Sequence, residues 1–534
     1  MSSFRWTWVV AICVAALVAF TIFDSKRSSK EEEAKKRESS LFKFKSADIA
    51  KIEISTIFGE KTLERKTPDH WQLLQPSEDS ADDQVVNSLL SAFAAEKSLA
   101  TIAENADPKN DMTYGFDAPI SKVKLTASDG RTEELKVGRV KAYDGSLYVR
   151  IDNDPKVLLA GQALGNQIDK PAIELRDKHL YRPKDAGDTI KITRFEIRQD
   201  DPTDKTFPAE IDLAKNGDNW KITKGLVGDS DYPVLNDKVQ AYIDQVKATR
   251  ALSYDSDSPK GAVKAREKAR EKAVDKKASG LDKPVLDIRF YGDSIGSSTG
   301  KKAEPFFSID FAAPESALKG KAPEVDAKSS DVSSIAKVYK SGFESMKKHV
   351  DDFLDKKYPF DFKKDAVSKI KVTINGPPNG PTGDGSLEFV RKGLVWELAD
   401  SSLHKDVDSA KVAALLEKLH GIEAVRILEP LKKDQKSGLK TNQMLKNASS
   451  VILSQDSGEP VFEFFWGDAI IEKASAGKPE SKYYPARTSR VDRLVGVSEF
   501  SIRSLELGNL IKKPQVAPSP KPRAGSAPLP SSSP

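Results

Sequence analysis

The sequence predicts an α+β fold: three tandem units, each an antiparallel β-sheet with packed helices, behind one N-terminal transmembrane helix. Three observations predict it. An uncharged apolar run opens the chain. A strand carrying Trp-x-Leu or Trp-x-Ile is followed by an amphipathic helix three times. Alternating strands flank each of those pairs.

The opening run is Trp6 to Phe23, long enough as a helix to cross a bilayer, with Trp6 and Trp8 at one end and Phe20 and Phe23 at the other. No small-x-small site follows it, and Ile12 before Cys13 does not suit a lipid-modified cysteine. Residues 1–24 are therefore read as an uncleaved signal anchor. The expected location is the inner membrane, single-pass, with the bulk of the chain extracytoplasmic (periplasmic). Lys26, Arg27, Lys30, Lys35, Lys36 and Arg37 follow the span while Arg5 alone precedes it, and the positive-inside rule opposes that orientation. Residues 25–47 read as a charged linker.

The recurring pair sets the rest of the organisation. Trp71, Trp220 and Trp396 precede helices whose apolar positions are Val86, Leu89, Leu90 and Phe93, then Val239, Tyr242, Ile243 and Val246, then Val412, Leu415, Leu416 and Leu419. Each set has i, i+3, i+4, i+7 spacing and fills one helical face. Ahead of each Trp lie alternating strands at Ile52–Ile54, Phe195–Ile197 and Ile370–Val372. After each helix a glycine, Gly115, Gly280 or Gly438, is expected to supply a left-handed turn before the next strand. Arg150 and Arg487 recur at matching strand positions, as a structural ion pair or as a shared binding edge. The expected bounds are 48–182 for the first repeat, 187–358 for the second with a charged helical insertion at 261–278, and 366–512 for the third. A Pro/Ser-rich tail at 513–534 is expected to be disordered. Lys319 to Ser334 reads as a further loose insertion, and Ile173–Asp177 is expected to parallel Phe500–Ser504.

Lys and Arg number 85 against 80 Asp and Glu, a difference of +5 that argues against nucleic-acid binding. A single cysteine excludes an intramolecular disulfide and Cys-based metal sites, and no cofactor or metal is expected. Gly292 to Gly296 matches GxSxG around Ser294, but a hairpin-like context replaces the strand–turn–helix that a serine nucleophile needs. The Trp set is read as core rather than as a polymer-stacking surface. Asp82 reads as a helix cap rather than as half of an acid/base pair. No catalytic residue is assigned.

The motifs in sum resemble a bacterial family, domain of unknown function 4340. They are the hairpin into Trp71, Tyr114-Gly115-Phe116-Asp117-Ala118-Pro119, Leu147-Tyr148-Val149-Arg150 and Leu175-Arg176-Asp177-Lys178, with the first repeat covering the pattern from about 48 to 182. The second repeat departs most, lacking the Arg-Asp-Lys ending. The resemblance implies a membrane-anchored, non-enzymatic accessory or scaffold protein whose partner is an ABC permease/ATPase complex of the gliding-motility auxiliary type. The alternatives are a free-standing envelope binding protein for a polysaccharide or surface polymer, and a serine hydrolase using Ser294.

Overall fold

A computed structural model describes residues 40–182, 190–202, 207–226, 232–257, 280–292, 304–314, 322–375, 385–403, 405–430, 445, 448–472 and 481–512. The expected anchor at 6–23, the linker as far as residue 39, the insertion helix at 261–278, Gly438, Ser294 and the tail at 513–534 lie outside the described residues. No helix among the described residues is long and apolar enough to cross a membrane. The chain divides into two compact units, Met1–Ile192 with Tyr242–Lys347, and Thr193–Ala241 with Lys348–Pro534.

The described strands form three antiparallel sheets with helices packed on them, an α+β architecture. The first sheet contains β1 (Ile49–Thr56), β2 (Gly59–Thr67), β3 (His70–Gln75), β4 (Asp79–Ser80), β5 (Ala100–Ala103), β6 (Ser121–Ala127), β7 (Thr132–Lys141), β8 (Leu147–Ile151) and β9 (Val157–Ala160). Their order is β4-β3-β2-β1-β6-β7-β8-β9-β5. Helix α1 (Asp83–Ala95) joins β4 to β5, and α2 (Gln162–Ile168) follows β9. Val86, Leu89, Leu90 and Phe93 of α1 are buried with Trp71, Ile52, Ile54 and Leu63 in one core. Each such side chain contributes roughly 1.5–3 kcal/mol. Leu41 and Phe42, in the stretch read as linker, are buried in the same core.

The next strands repeat that order in two runs. The second compact unit holds β10 (Ile192–Gln199), β11 (Glu210–Asn216) and β12 (Asn219–Lys224), paired as β12-β11-β10. The helix α3 (Asn236–Lys247) follows. The first compact unit holds β13 (Ser253–Tyr254), β14 (Leu286–Gly292), β15 (Phe307–Phe311), β16 (Glu324–Ser329) and β17 (Ala336–Tyr339), paired as β14-β15-β16-β17-β13. Helix α4 (Lys340–Met346) follows β17. The third sheet, in the second compact unit, has β18 (Lys369–Ile374), β19 (Gly385–Lys392), β20 (Val395–Leu398), β21 (Ala424–Pro430), β22 (Ser449–Ser454), β23 (Pro460–Trp466), β24 (Ile470–Glu472), β25 (Ser481–Thr488) and β26 (Arg493–Ser498). Its order is β20-β19-β18-β22-β23-β25-β26-β21, with β24 beside β25. Helix α5 (Ser409–His420) precedes β21, and α6 (Glu499–Ser504) follows β26.

Register recurs residue by residue. Ile52 faces Leu63, which faces Leu73. Phe195, Leu213 and Ile222 hold the same relation, as do Ile370, Phe389 and Leu398. A basic residue lies opposite each Trp: Arg65 for Trp71, Lys215 for Trp220 and Arg391 for Trp396.

Three expectations need correction. Lys319–Ser334 is not a loose insertion, because it contains β16, where Val325, Ala327 and Ser329 are buried between half-exposed neighbours. Ile173–Asp177 does not parallel Phe500–Ser504: α6 directly follows β26 as α2 directly follows β9. The backbone bridges Ala81–Arg176, Val234–Leu354 and Val407–Ile511 identify the equivalent closing positions instead. The second repeat also keeps part of its ending, as Leu354-Asp355-Lys356. Asp355 accepts the Lys357 N–H at 3.0 Å, as Asp177 accepts that of His179 at 3.0 Å.

Candidate functional site

The recurring glycines and tryptophans have local structural causes. Trp71, Trp220 and Trp396 are buried. The backbone N–H of each donates to the first residue of the following helix: to Asp83 Oδ1 at 2.7 Å, Asn236 Oδ1 at 3.1 Å and Ser409 Oγ at 2.8 Å. That bond ties the strand to the helix start, where a short polar side chain is favoured. Asp82 accepts the Val85 N–H at 3.1 Å, and Asp408 caps α5 in the same way through Lys411 at 3.3 Å. Asp351 and Asp352 are likewise acceptors, of the Ile427 and His349 N–H groups. Gly115 and Gly280 are left-handed, with φ of 78° and 71°. A Cβ on Gly138 would stand 1.9 Å from the Tyr114 carbonyl oxygen, which is why the strand passing under the Gly115 turn has no side chain there.

Arg150 pairs with Asp111 at 2.9 Å and lies over the Phe116 ring at 4.6 Å. Arg150 faces Lys136 across its strand pair and Arg487 faces Phe465, so the two arginines do hold equivalent register.

The densest polar constellation is elsewhere in the first compact unit. Arg176, from the Leu-Arg-Asp-Lys motif, is 0% exposed. Its Nε donates to Asp79, while Nη1 and Nη2 donate to Ser256 Oγ and Ser334 Oγ, each at 2.9 Å. Its guanidinium lies 3.7 Å from the centre of the Tyr254 ring. Arg182 also donates to Asp79 and pairs with Asp177 at 3.2 Å. Asp79 thus receives two guanidinium groups inside the fold. Burial opposes the Arg182 charge, but Asp79, Tyr254 and Asp177 outweigh it and raise its pKa above the ordinary value. Burial pushes the Tyr254 hydroxyl up to about 12, against the pull of Arg182 and Arg176, so it stays protonated and donates to the Asp177 carbonyl at 3.1 Å.

An open polar cleft of about 420 Å³ borders this clamp, lined by Ser308, Asp310 and the stretch Lys328–Ser333. Ser329 Oγ donates to the Leu180 carbonyl at 2.5 Å, and Asp331 accepts the Arg182 N–H at 2.8 Å. Chemically the arrangement holds charge and backbone in place. Ser256 and Ser334 bond to each other and to a guanidinium, a group that cannot take the proton a serine nucleophile must lose. A second network lies on β10 and β11. There Glu196 and Asp212, nearly buried and directly opposite, share Arg194, and Arg198 adds a bond to Glu196 at 2.9 Å.

Sequence reasoning named Arg176 and Asp177 only as motif letters and missed Asp79, Arg182, Tyr254, Ser256 and Ser334. Those residues come from separate segments, and no spacing rule connects them.

No curated protein and no solved structure matches the chain. Residues 71–284 match the model of the family described as Domain of unknown function (DUF4340). That match supports the resemblance drawn from the motifs, though it starts at Trp71, omits β1 and β2, and runs on to Pro284 rather than ending near residue 182.

Proposed function

We propose that the chain is three tandem copies of one unit on an N-terminal bilayer anchor at residues 6–23. It acts as a non-enzymatic accessory or scaffold protein of a cell-envelope ABC transport system, single-pass in the inner membrane with its bulk in the periplasm. The observation that supports this reading most is the recurrence of one strand order and one register, closed each time by the same backbone bridge. Repeated units with charged surfaces suit protein binding. The buried side-chain chemistry described above is spent on holding segments together. The family link supplies the transport context by resemblance only.

The test is mild crosslinking in native membranes, purification of the tagged full chain and mass spectrometry. Stoichiometric recovery of an ABC permease and ATPase is the expected outcome. Recovery of the protein alone, or with envelope polymer, would overturn the proposal and favour a polymer-binding role.

A further inference from the structure

Most of the large apolar side chains left exposed in the first sheet gather at one end of it. Strand β1 runs toward that end, β6 runs away from it and β7 returns, so the β1–β2 and β7–β8 turns share it. The β1–β2 turn is closed by Thr56 and Gly59 and presents Ile57 and Phe58, which are 72% and 76% exposed. The β7–β8 turn carries the fully exposed Tyr143, with Val140 just before it. Leu99, 61% exposed, enters β5 at the same end, since its N–H donates to the Leu159 carbonyl near the end of β9. These turns lie about 10–15 Å apart, given a strand spacing near 4.8 Å.

An independent observation concerns where the chain enters. Ser40 bridges Lys97, and the Leu41 N–H donates to the Glu96 carbonyl at 3.1 Å. Glu96 in turn accepts the Gly161 N–H at 3.3 Å, just beyond β9. Three residues on, the Lys43 N–H meets the Glu133 side chain on β7 at 3.0 Å. Ser40 is therefore at the end that carries Phe58 and Tyr143. The 16 residues from Asp24 to Glu38 and Ser39 separate it from the apolar run. They reach at most about 55 Å.

We infer that this end of the first sheet rests on the bilayer, with the Ile57-Phe58 and Val140–Tyr143 turns inserted into the interfacial layer. The inference rests on the anchored reading of residues 6–23. Aromatic and branched side chains on tight turns suit that layer, and Tyr143 offers an apolar ring with a polar tip. Lys122, Arg139 and Lys141 stand nearby, but so do Glu60, Asp117 and Asp144. The contact is thus apolar in origin and needs no anionic lipid.

The experiment uses the full chain with Cys13→Ala in phosphatidylcholine vesicles. Spin labels are placed through Phe58→Cys, Tyr143→Cys or, at the opposite end of β2, Asp69→Cys. Flotation reports the anchor. Collisions with dissolved oxygen and with a water-soluble nickel chelate report the depth of each label. The expected result is flotation of all three proteins, with the labels at 58 and 143 losing the nickel collisions that the label at 69 keeps. Flotation with all three labels equally open to nickel overturns the inference while leaving the anchor intact. Failure to float overturns both. Shielding that arises only when a membrane protein is added, and not in lipid alone, also overturns the inference.

Discussion

The first and third sheets share strand order, register and helix placement, yet they fill equivalent positions differently. At the closing bridge the first has Arg176, fully buried, where the third has Ile511. Opposite the second inward residue of the leading strand, the first has Lys61 facing Ile54, where the third has Leu387 facing Val372. Lys61 is buried and donates at 2.7 Å to the carbonyls of Ile168 and Lys170, at the end of α2. One backbone frame accepts an aliphatic or a cation at the same place, provided the cation finds acceptors. The frame is set by strand pairing and the Trp–helix contact. The polar fillings are local solutions added to it.

The largest way to break the comparison is Asp79→Ala. It removes the carboxylate that Arg176 and Arg182 share, and removal of one partner from a buried pair costs about 3–5 kcal/mol. Urea denaturation should show that loss, and Asp79→Leu with Arg176→Leu should cost less than the sum of the two single changes. Next comes Lys61, whose pKa burial lowers to about 8, with Asp169 offsetting part of the effect. Between pH 8 and 10.5 the unfolded chain holds more protons than the folded one, so stability rises with pH across that window, by up to about 3 kcal/mol. Lys61→Leu, which copies the third sheet, should remove that rise, read as the difference between variant and parent denaturation midpoints at each pH. Gly138→Ala puts a Cβ into the Tyr114 carbonyl and should cost about 1–3 kcal/mol or more. A thermal melt of the variant checks it. The smallest effect sharpens the likeness: Asp82→Ala and Asp408→Ala should each destabilise slightly and to a similar extent, because both cap a helix at the same point of the frame. Unequal losses in denaturant would show that the two helix starts are not equivalent.

Much of the frame was legible. The Trp strands and helix faces show because large apolar side chains mark the period, and Val86, Leu89, Leu90 and Phe93 are all buried as their spacing requires. β16 escaped notice because its inward residues include Ala327 and Ser329, too small or polar to mark an alternation among lysines and serines. The short strand after each helix escaped too: Ala100–Ala103 is largely exposed, and Ser253–Tyr254 has two residues. The clamp around Arg176 was not legible as a site, since Asp79, Ser256 and Ser334 approach only through tertiary packing.

The Arg176 clamp also bears on how the protein is taken apart. Its acceptors come from Asp79 on one side of the motif and from Ser256 and Ser334 on the other, where the Tyr254 ring also lies against it. The Lys178 carbonyl likewise accepts the Ala251 N–H, as the Lys356 carbonyl accepts that of Ala424. The sequence period and the folding period are therefore out of phase. A fragment cut at residue 182 would keep Asp79 on Arg176 but lose Ser256, Ser334 and the Tyr254 ring, leaving two of the guanidinium nitrogens without these acceptors, and cut points that respect the fold must lie downstream, beyond the serines that receive it.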